Sequence, residues 1–190
     1  KVRPDVLAMQ EVDSFTRTKS FGADEPTMMG HILRPMWRCR FAPAYKVDGG
    51  EYGVATLSVE EPLSTQILEL PGVKEPRRLL AVEFEKYWVA TTHLSLHEEK
   101  RLESVPIIAD FAKTVKKPLF VAGDWNAEPH TKTIAEMAKH FTILSDTNSF
   151  TFTAGRPHAT IDYIAVDNAH APWVKVKSYS VLDEPAASDH

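Results

Sequence analysis

Pro118-Leu119-Phe120-Val121-Ala122-Gly123-Asp124-Trp125-Asn126 is the stretch on which the reading of this chain turns. An unbroken apolar run opened by a proline reads as a strand buried on both faces. The run meets Gly123, and a carboxylate and a carboxamide then stand two positions apart. Polar groups at the mouth of a buried strand sit on rigid backbone at the rim of a core, where a site can be built. Asp124 can take a cation or a proton, and Asn126 offers both a donor and an acceptor. The same two residues also suit a plain Asx turn, serving only their own backbone. What separates the two readings is whether other strand ends carry comparable groups.

Outward from this stretch, residues 5–10 read as a second buried strand with Glu11 at its end. Residues 14–25 are polar and form a loop. Met29, Ile32, Leu33 and Met36 recur at helical spacing and predict a short helix over 28–37. Strands over 40–45 and 52–58 are joined across Asp48-Gly49-Gly50, a strong hairpin signal. Another strand covers 63–70, and 79–84 with 87–94 read as a hairpin turning at Glu85-Lys86. Ser95-Leu96-His97-Glu98 has the pattern of a capping box, so a helix is expected to begin there. Its apolar face is Leu102, Val105, Ile108, Ala109, Ala112 and Val115, and Pro106 within it predicts a kink or a break. A second helix is expected over 131–141 with Ile134, Met137, Ala138 and Phe141 inward, and strands over 160–166 and 173–182. Strands and helices that do not alternate regularly indicate an α+β fold, two packed sheets with helices outside.

The 190 residues, without repeat, low-complexity tract or linker, read as a single domain over 1–190. A chain of this size can bury about 70% of its unfolded surface. The formal net charge of −4, with no block of basic residues, counts against a sequence-independent grip on long nucleic acid. No apolar run approaches the roughly 20 residues of a membrane-spanning helix. The opening Lys1-Val2-Arg3-Pro4 has no apolar signal-peptide core, but the chain does not begin with Met, and the compartment stays open. Cys39 is the only cysteine, so neither an internal disulfide framework nor a thiolate zinc cluster can form. A monomer is expected.

Five strand ends carry polar groups: Gln10-Glu11, Thr92-His93, Asp124 with Asn126, Asp162, and Ser188-Asp189-His190. One such end is ordinary; five of acid, amide and imidazole make a site the better reading. Oxygen-rich ligands without cysteine favour a hard cation, Mg²⁺ or else Mn²⁺ or Ca²⁺. Two histidines among the carboxylates add acid–base capacity near neutral pH.

The segments Leu7-Ala8-Met9-Gln10-Glu11-Val12, Gly53-Val54-Ala55-Thr56-Leu57-Ser58, Thr92-His93-Leu94, Gly123-Asp124-Trp125-Asn126, Ile161-Asp162-Tyr163-Ile164 and Ser188-Asp189-His190 resemble the endonuclease/exonuclease/phosphatase, or DNase I-like, superfamily. Each is weak alone; together, in family order along nearly the whole chain, they are specific. The resemblance implies a four-layer α-β-β-α sandwich and metal-dependent hydrolysis of a phosphoester by in-line attack of activated water. Carried over residue by residue, Glu11 is the metal-binding glutamate and Asp189 a further metal-side carboxylate. Asp124 and Asn126 position the nucleophile or leaving group beside phosphate. His93 contacts the phosphate or assists its protonation. Asp162 orients His190, which takes the proton of the water. Such a role for His190 agrees with general-base chemistry by an imidazole fixed in one tautomer by a carboxylate.

The family also has a strand before the glutamate, bearing an asparagine that reaches the metal, and a closing strand after Ser-Asp-His. Only four residues precede Asp5 here and the sequence stops at His190. An excerpt lacking the first and last core strands is therefore the expectation. In the DNase I branch a glutamate on the strand before the histidine strand partners that histidine. Arg77-Arg78 fall in that neighbourhood, which points away from a secreted nuclease and makes Arg78 a candidate substrate contact. Fold alone leaves the substrate open among nucleic acid, a phospholipid head group and a sugar or inositol phosphate. The alternative is a non-catalytic relative that binds a phosphoester or a protein; retention of the acids and of His190 favours the enzyme. Trp125 is expected to pack beneath the site, and His97, His130, His140, His158 and His170 to lie at the surface. His158, beside the Asp162 strand, stands nearest the candidate site.

Overall fold

A computed structural model describes residues 4–33, 37–182 and 184–190. Among the described residues nine strands form two sheets: β1 (Val6–Ser14), β2 (Arg38–Val47) and β3 (Gly50–Ser58) in the order β1-β3-β2, and six strands in the order β4-β5-β6-β7-β9-β8. The second set is β4 (Ser64–Leu70), β5 (Arg77–Glu83), β6 (Trp88–His93), β7 (Leu119–Asp124), β8 (Phe141–Ile143) and β9 (Asp162–Asp167). Only β6 and β7 run parallel. The helices are α1 (Glu25–Ile32), α2 (Glu98–Thr114) and α3 (Lys132–Ala138).

Four layers follow from where the apolar residues go. Met29 and Leu33 cover Leu7, Phe41, Ala55 and Leu57 on the outer face of the small sheet. Ala42 and Val54 meet Leu80, Val82, Phe84 and Val89 between the sheets. There the buried Thr56 and Thr91 hydroxyls share a hydrogen bond of 2.7 Å, so each satisfies the other away from water. Val105, Ile108 and Phe111 of α2, with Ile134 and Met137 of α3, cover Trp88, Leu119 and Val121 on the outer face of the large sheet. Burying the β7 apolar run against helices on one side and a sheet on the other accounts for its lack of alternation.

The Asp48-Gly49 hairpin forms as expected, with both residues at positive φ (48° and 83°). Other elements shift. Helix α1 starts earlier than expected, at Glu25, because Pro26 sits in its first turn where a missing N–H costs nothing; the 34–36 part of the expected helix lies outside the described residues. The capping box does not form. His97 is the cap residue, and Ser95 instead accepts the His97 N–H at 3.2 Å. Helix α2 runs through Pro106 as one element. Helix α3 ends at Ala138, and Phe141 is buried as the first residue of β8. Over 173–182, where alternation predicted a strand, there is a 3₁₀ turn at Ala171–Trp173 followed by irregular chain. Among the described residues no strand pairs with it, and alternation without a partner makes no ladder.

Candidate active site

The register of the large sheet builds the floor of the site. His93 pairs with Asp124 across parallel β6 and β7, and Asp124 pairs with Asp162 across antiparallel β7 and β9. Three strand ends thus stand in a row, about 4.8 Å apart in the hydrogen-bonding direction. Gly123 lets these backbones close up. Its φ is +140°, and a Cβ there would lie 2.0 Å from the Thr92 carbonyl oxygen and 3.1 Å from Gln10 Nε2.

The small sheet supplies the facing wall. Between Met9 and Val12 strand β1 carries one more residue than β3, a bulge, and Glu11 adopts φ 56°. A bulge re-aims a side chain out of the strand's alternation. Here it brings Glu11 Oε1 to 4.0 Å from His93 Nδ1. The same carboxylate, together with burial, holds the Tyr52 hydroxyl in its neutral form. Glu11, Gln10, Asp124, Asp162, Asp189 and His190 line one cavity of about 420 Å³.

His190 closes the row. Its Nδ1–H donates to Asp162 Oδ2 at 2.7 Å, and its Nε2 faces Asp124 Oδ2 at 4.0 Å. Asp162 Oδ2 also accepts the Thr151 hydroxyl at 2.6 Å. The ring of Phe152 stacks against His190 with centroids 4.9 Å apart, and the exposed His158 lies on Phe152 at 5.8 Å. Thr151 and Phe152 are members of the site that sequence reasoning missed. Their segment carries no periodicity or charge to mark it, and only the fold brings it to Asp162.

Asp124 divides its two oxygens between the two readings made of it. Oδ1 accepts the Asn126 N–H at 2.7 Å, an Asx turn, while Oδ2 faces His93 Nε2 at 3.4 Å and His190. Asn126, at φ 49°, donates its Nδ2–H to the Leu94 carbonyl at 3.0 Å, tying the exits of β6 and β7 together. It is not among the residues that line the cavity. Trp125 is fully buried against Tyr163, centroids 4.8 Å apart. Arg78 is not brought to the cleft: its Nη2 pairs with Glu69 at 3.0 Å across β4 and β5. Adjacent strand residues face opposite ways, and it is Arg77 whose charge acts on His93. His170 also departs from expectation, since it is part-buried and bonded to Asp167 at 2.7 Å.

Burial sets the protonation states. It raises the Asp124 carboxyl to about 7, with Asp162 and Glu11 adding to the rise. It lowers His93 to about 3, helped by Arg77, so that imidazole is neutral. His190 is raised to about 8 by its hydrogen bond to Asp162, so it carries charge at neutral pH. Among the described residues no three Asp, Glu, His or Cys side chains stand together as a ready-made metal cage. A hard cation held by one or two carboxylates, with waters completing its shell, needs no such cage. The carboxyl surplus around Asp124 and the exposed Glu11 fit that kind of ion.

A model of the endonuclease/exonuclease/phosphatase family matches residues 1–190. No curated protein matches the sequence. Among solved structures, an endonuclease/exonuclease/phosphatase from Beutenbergia cavernae superposes with TM-score 0.79 at 21% identity, over 98% of this chain and 60% of its own. A Bacteroides vulgatus endonuclease/exonuclease/phosphatase superposes with TM-score 0.73 at 19% identity, over 98% of this chain and 81% of its own. A mannosyl-6-phosphatase of Bacteroides thetaiotaomicron superposes with TM-score 0.65 at 15% identity, over 87% of this chain and 72% of its own. The chain therefore spans 60% of the length of the first of these. At these identities the likeness is one of fold.

Proposed function

The chain belongs to the endonuclease/exonuclease/phosphatase family, and from that premise we propose that it hydrolyses a phosphoester with the help of a divalent cation. The observation that carries this reading is the His190–Asp162 pair at 2.7 Å, with its free Nε2 turned to Asp124 in the cavity that Glu11 and Asp189 line. The similarity to a mannosyl-6-phosphatase supports phosphoester chemistry without choosing the substrate.

Glu11 and Asp189 are the side chains that would hold Mg²⁺ or Mn²⁺, and Asp124 lines the same cavity. The cation supplies neutralisation of phosphate oxygens and of charge developing on the leaving group. His190, charged at neutral pH, donates from Nε2 to a phosphoryl oxygen or to the leaving oxygen. Asp162 stabilises that charge and orients the ring by accepting the Nδ1–H. Sequence reasoning gave His190 the role of base; the raised value makes Asp124, with a carboxyl near 7, the better acceptor of the water's proton. His93 stays neutral 3.4 Å from Asp124 Oδ2 and so adds no charge that would compete for the phosphate.

The test is product release from a phosphodiester and a phosphomonoester panel with Mg²⁺ or Mn²⁺, in wild-type protein and in Glu11→Gln. Activity should vanish in chelator and fall in Glu11→Gln, with weaker calorimetric binding of the cation. Full activity in both conditions removes the metal and Glu11 from the mechanism. A folded, metal-loaded protein that cleaves no member of the panel ends the enzymatic reading.

A further inference from the structure

Beyond the cleft, a second cavity of about 340 Å³ opens where β5 begins and β6 ends, lined by Lys74, Glu75, Arg77, Ser95, Leu96 and His97. Its position follows from the chain: Ser95 is two residues past His93, about 7 Å along extended backbone. Arg77 lines this second cavity, and its charge acts on His93, whose Nε2 stands 3.4 Å from Asp124 of the first.

Arg77 is an unusual residue to bury. Its side chain is 7% exposed, its Nη2 meets Glu75 Oε2 at 3.3 Å, and its Nε has no hydrogen-bond partner among the described residues. A guanidinium has five N–H donors in a planar fork, and one glutamate engages little of that capacity. Glu75 also acts on the Tyr45 hydroxyl, whose ionisation burial and this carboxylate disfavour. The exposed Lys74 adds a second positive charge at the rim, opposite the exposed His97.

The frame around these donors is fixed in advance. Arg101, itself buried, donates to the carbonyls of Ser95 at 3.0 Å and Leu96 at 2.8 Å, and its Nε bonds the Thr133 hydroxyl at 3.2 Å. On the other side, the 72–75 turn is so close that a Cβ on Gly72 would lie 1.8 Å from the Glu75 carbonyl oxygen. Both walls are therefore held by local bonds rather than by a ligand. A rigid recess with a part-satisfied guanidinium and a neighbouring ammonium is built to receive a planar or tetrahedral anion.

We propose that this cavity is a second anion subsite, which selects substrates carrying a further phosphate next to the scissile phosphoester. The inference rests on the hydrolytic reading of the cleft for its substrate but not for its binding chemistry. A second phosphate one linkage away would reach Arg77 and Lys74 while the scissile phosphate lies at His93 and His190.

Two arms test it. In the first, wild-type protein and Lys74→Glu are compared on the dinucleotide TpT and its 5′-phosphorylated form pTpT. Lys74 is exposed and outside the catalytic row, so the variant folds and keeps its rate on TpT. The wild type should show a lower KM for pTpT at similar kcat, and Lys74→Glu should erase most of that preference. Arg77→Met, if it folds, should raise KM for pTpT by about ten- to a hundredfold, the loss expected for a charge-assisted hydrogen bond. In the second arm, inorganic pyrophosphate is titrated calorimetrically into each protein in chelator, with no turnover involved. Weaker pyrophosphate binding by Lys74→Glu with no hydrolysis of either dinucleotide supports the subsite and removes dinucleotides from the substrates, while the hydrolytic reading is decided by the phosphoester panel. Unchanged pyrophosphate affinity together with equal KM for TpT and pTpT overturns the subsite whatever the cleft does.

Discussion

Replacing Asp124 by Asn should make the metal-free protein more stable, and increasingly so as pH rises. The carboxyl is 5% exposed, and burial moves it from its ordinary 3.8 to about 7. Between those values the folded protein holds a proton that the unfolded chain has released, so stability falls as pH rises through that window. The full difference amounts to about 4 kcal/mol above pH 8, and about 1.5 kcal/mol of it is already present at about pH 5. Asparagine keeps the oxygen that accepts the Asn126 N–H and removes the buried charge. Two other groups also tilt the curves. His93, lowered from 6.5 to about 3, makes stability rise with pH up to about 6.5. His190, raised from 6.5 to about 8, makes it fall between those two values. In wild-type protein the Asp124 and His93 slopes oppose one another below pH 6.5, whereas the variant shows the His93 slope uncovered. The difference between the two proteins is dominated by Asp124, with a smaller part from the share of the His190 rise that the Asp124 charge supplies, and it should grow by about 3 kcal/mol from about pH 5 to about pH 8. Urea unfolding in chelator, followed by tryptophan fluorescence, measures it directly. A difference that stays constant across that range would refute the argument that burial, rather than the Asx turn, governs this carboxyl. Added Mg²⁺ should shrink the difference, since a cation near Asp124 offsets the charge.

Two further perturbations separate chemistry from scaffold. His190→Ala should lower turnover by about 10²- to 10⁴-fold while cation affinity holds. Asp162→Asn should lower it as well, and the double variant should be little worse than the poorer single one because the pair acts as a unit. Fully multiplicative losses in a kinetic cycle would show that the two work separately. Gly123→Ala should destabilise the protein by at least about 2 kcal/mol, since its Cβ meets the Thr92 carbonyl and its φ of +140° disfavours a side chain. A urea midpoint equal to wild type would mean that β6 and β7 can separate without cost beside the site.

Much of this was legible in the chain because it is local. Five apolar residues before Gly123 specify a buried strand wherever it ends up, and Asp48-Gly49 specifies its hairpin by backbone conformation alone. The ends of these strands, with Asp124, Asp162, His93 and Glu11 on them, are sequence properties too. Tertiary structure decided everything that depends on partners. Residues 173–182 alternate like a strand but find no neighbour among the described residues, so they form none. Ser95 fits a capping box, yet Arg101 takes its carbonyl and the helix starts at Glu98. Arg77 and Arg78 are indistinguishable as sequence; strand parity sends one to His93 and the other to Glu69. Thr151 and Phe152 carry no mark at all until the fold lays them on Asp162 and His190. Residue type and period travel with the chain, whereas register, burial and the pKa values that burial imposes exist only once distant segments are packed together.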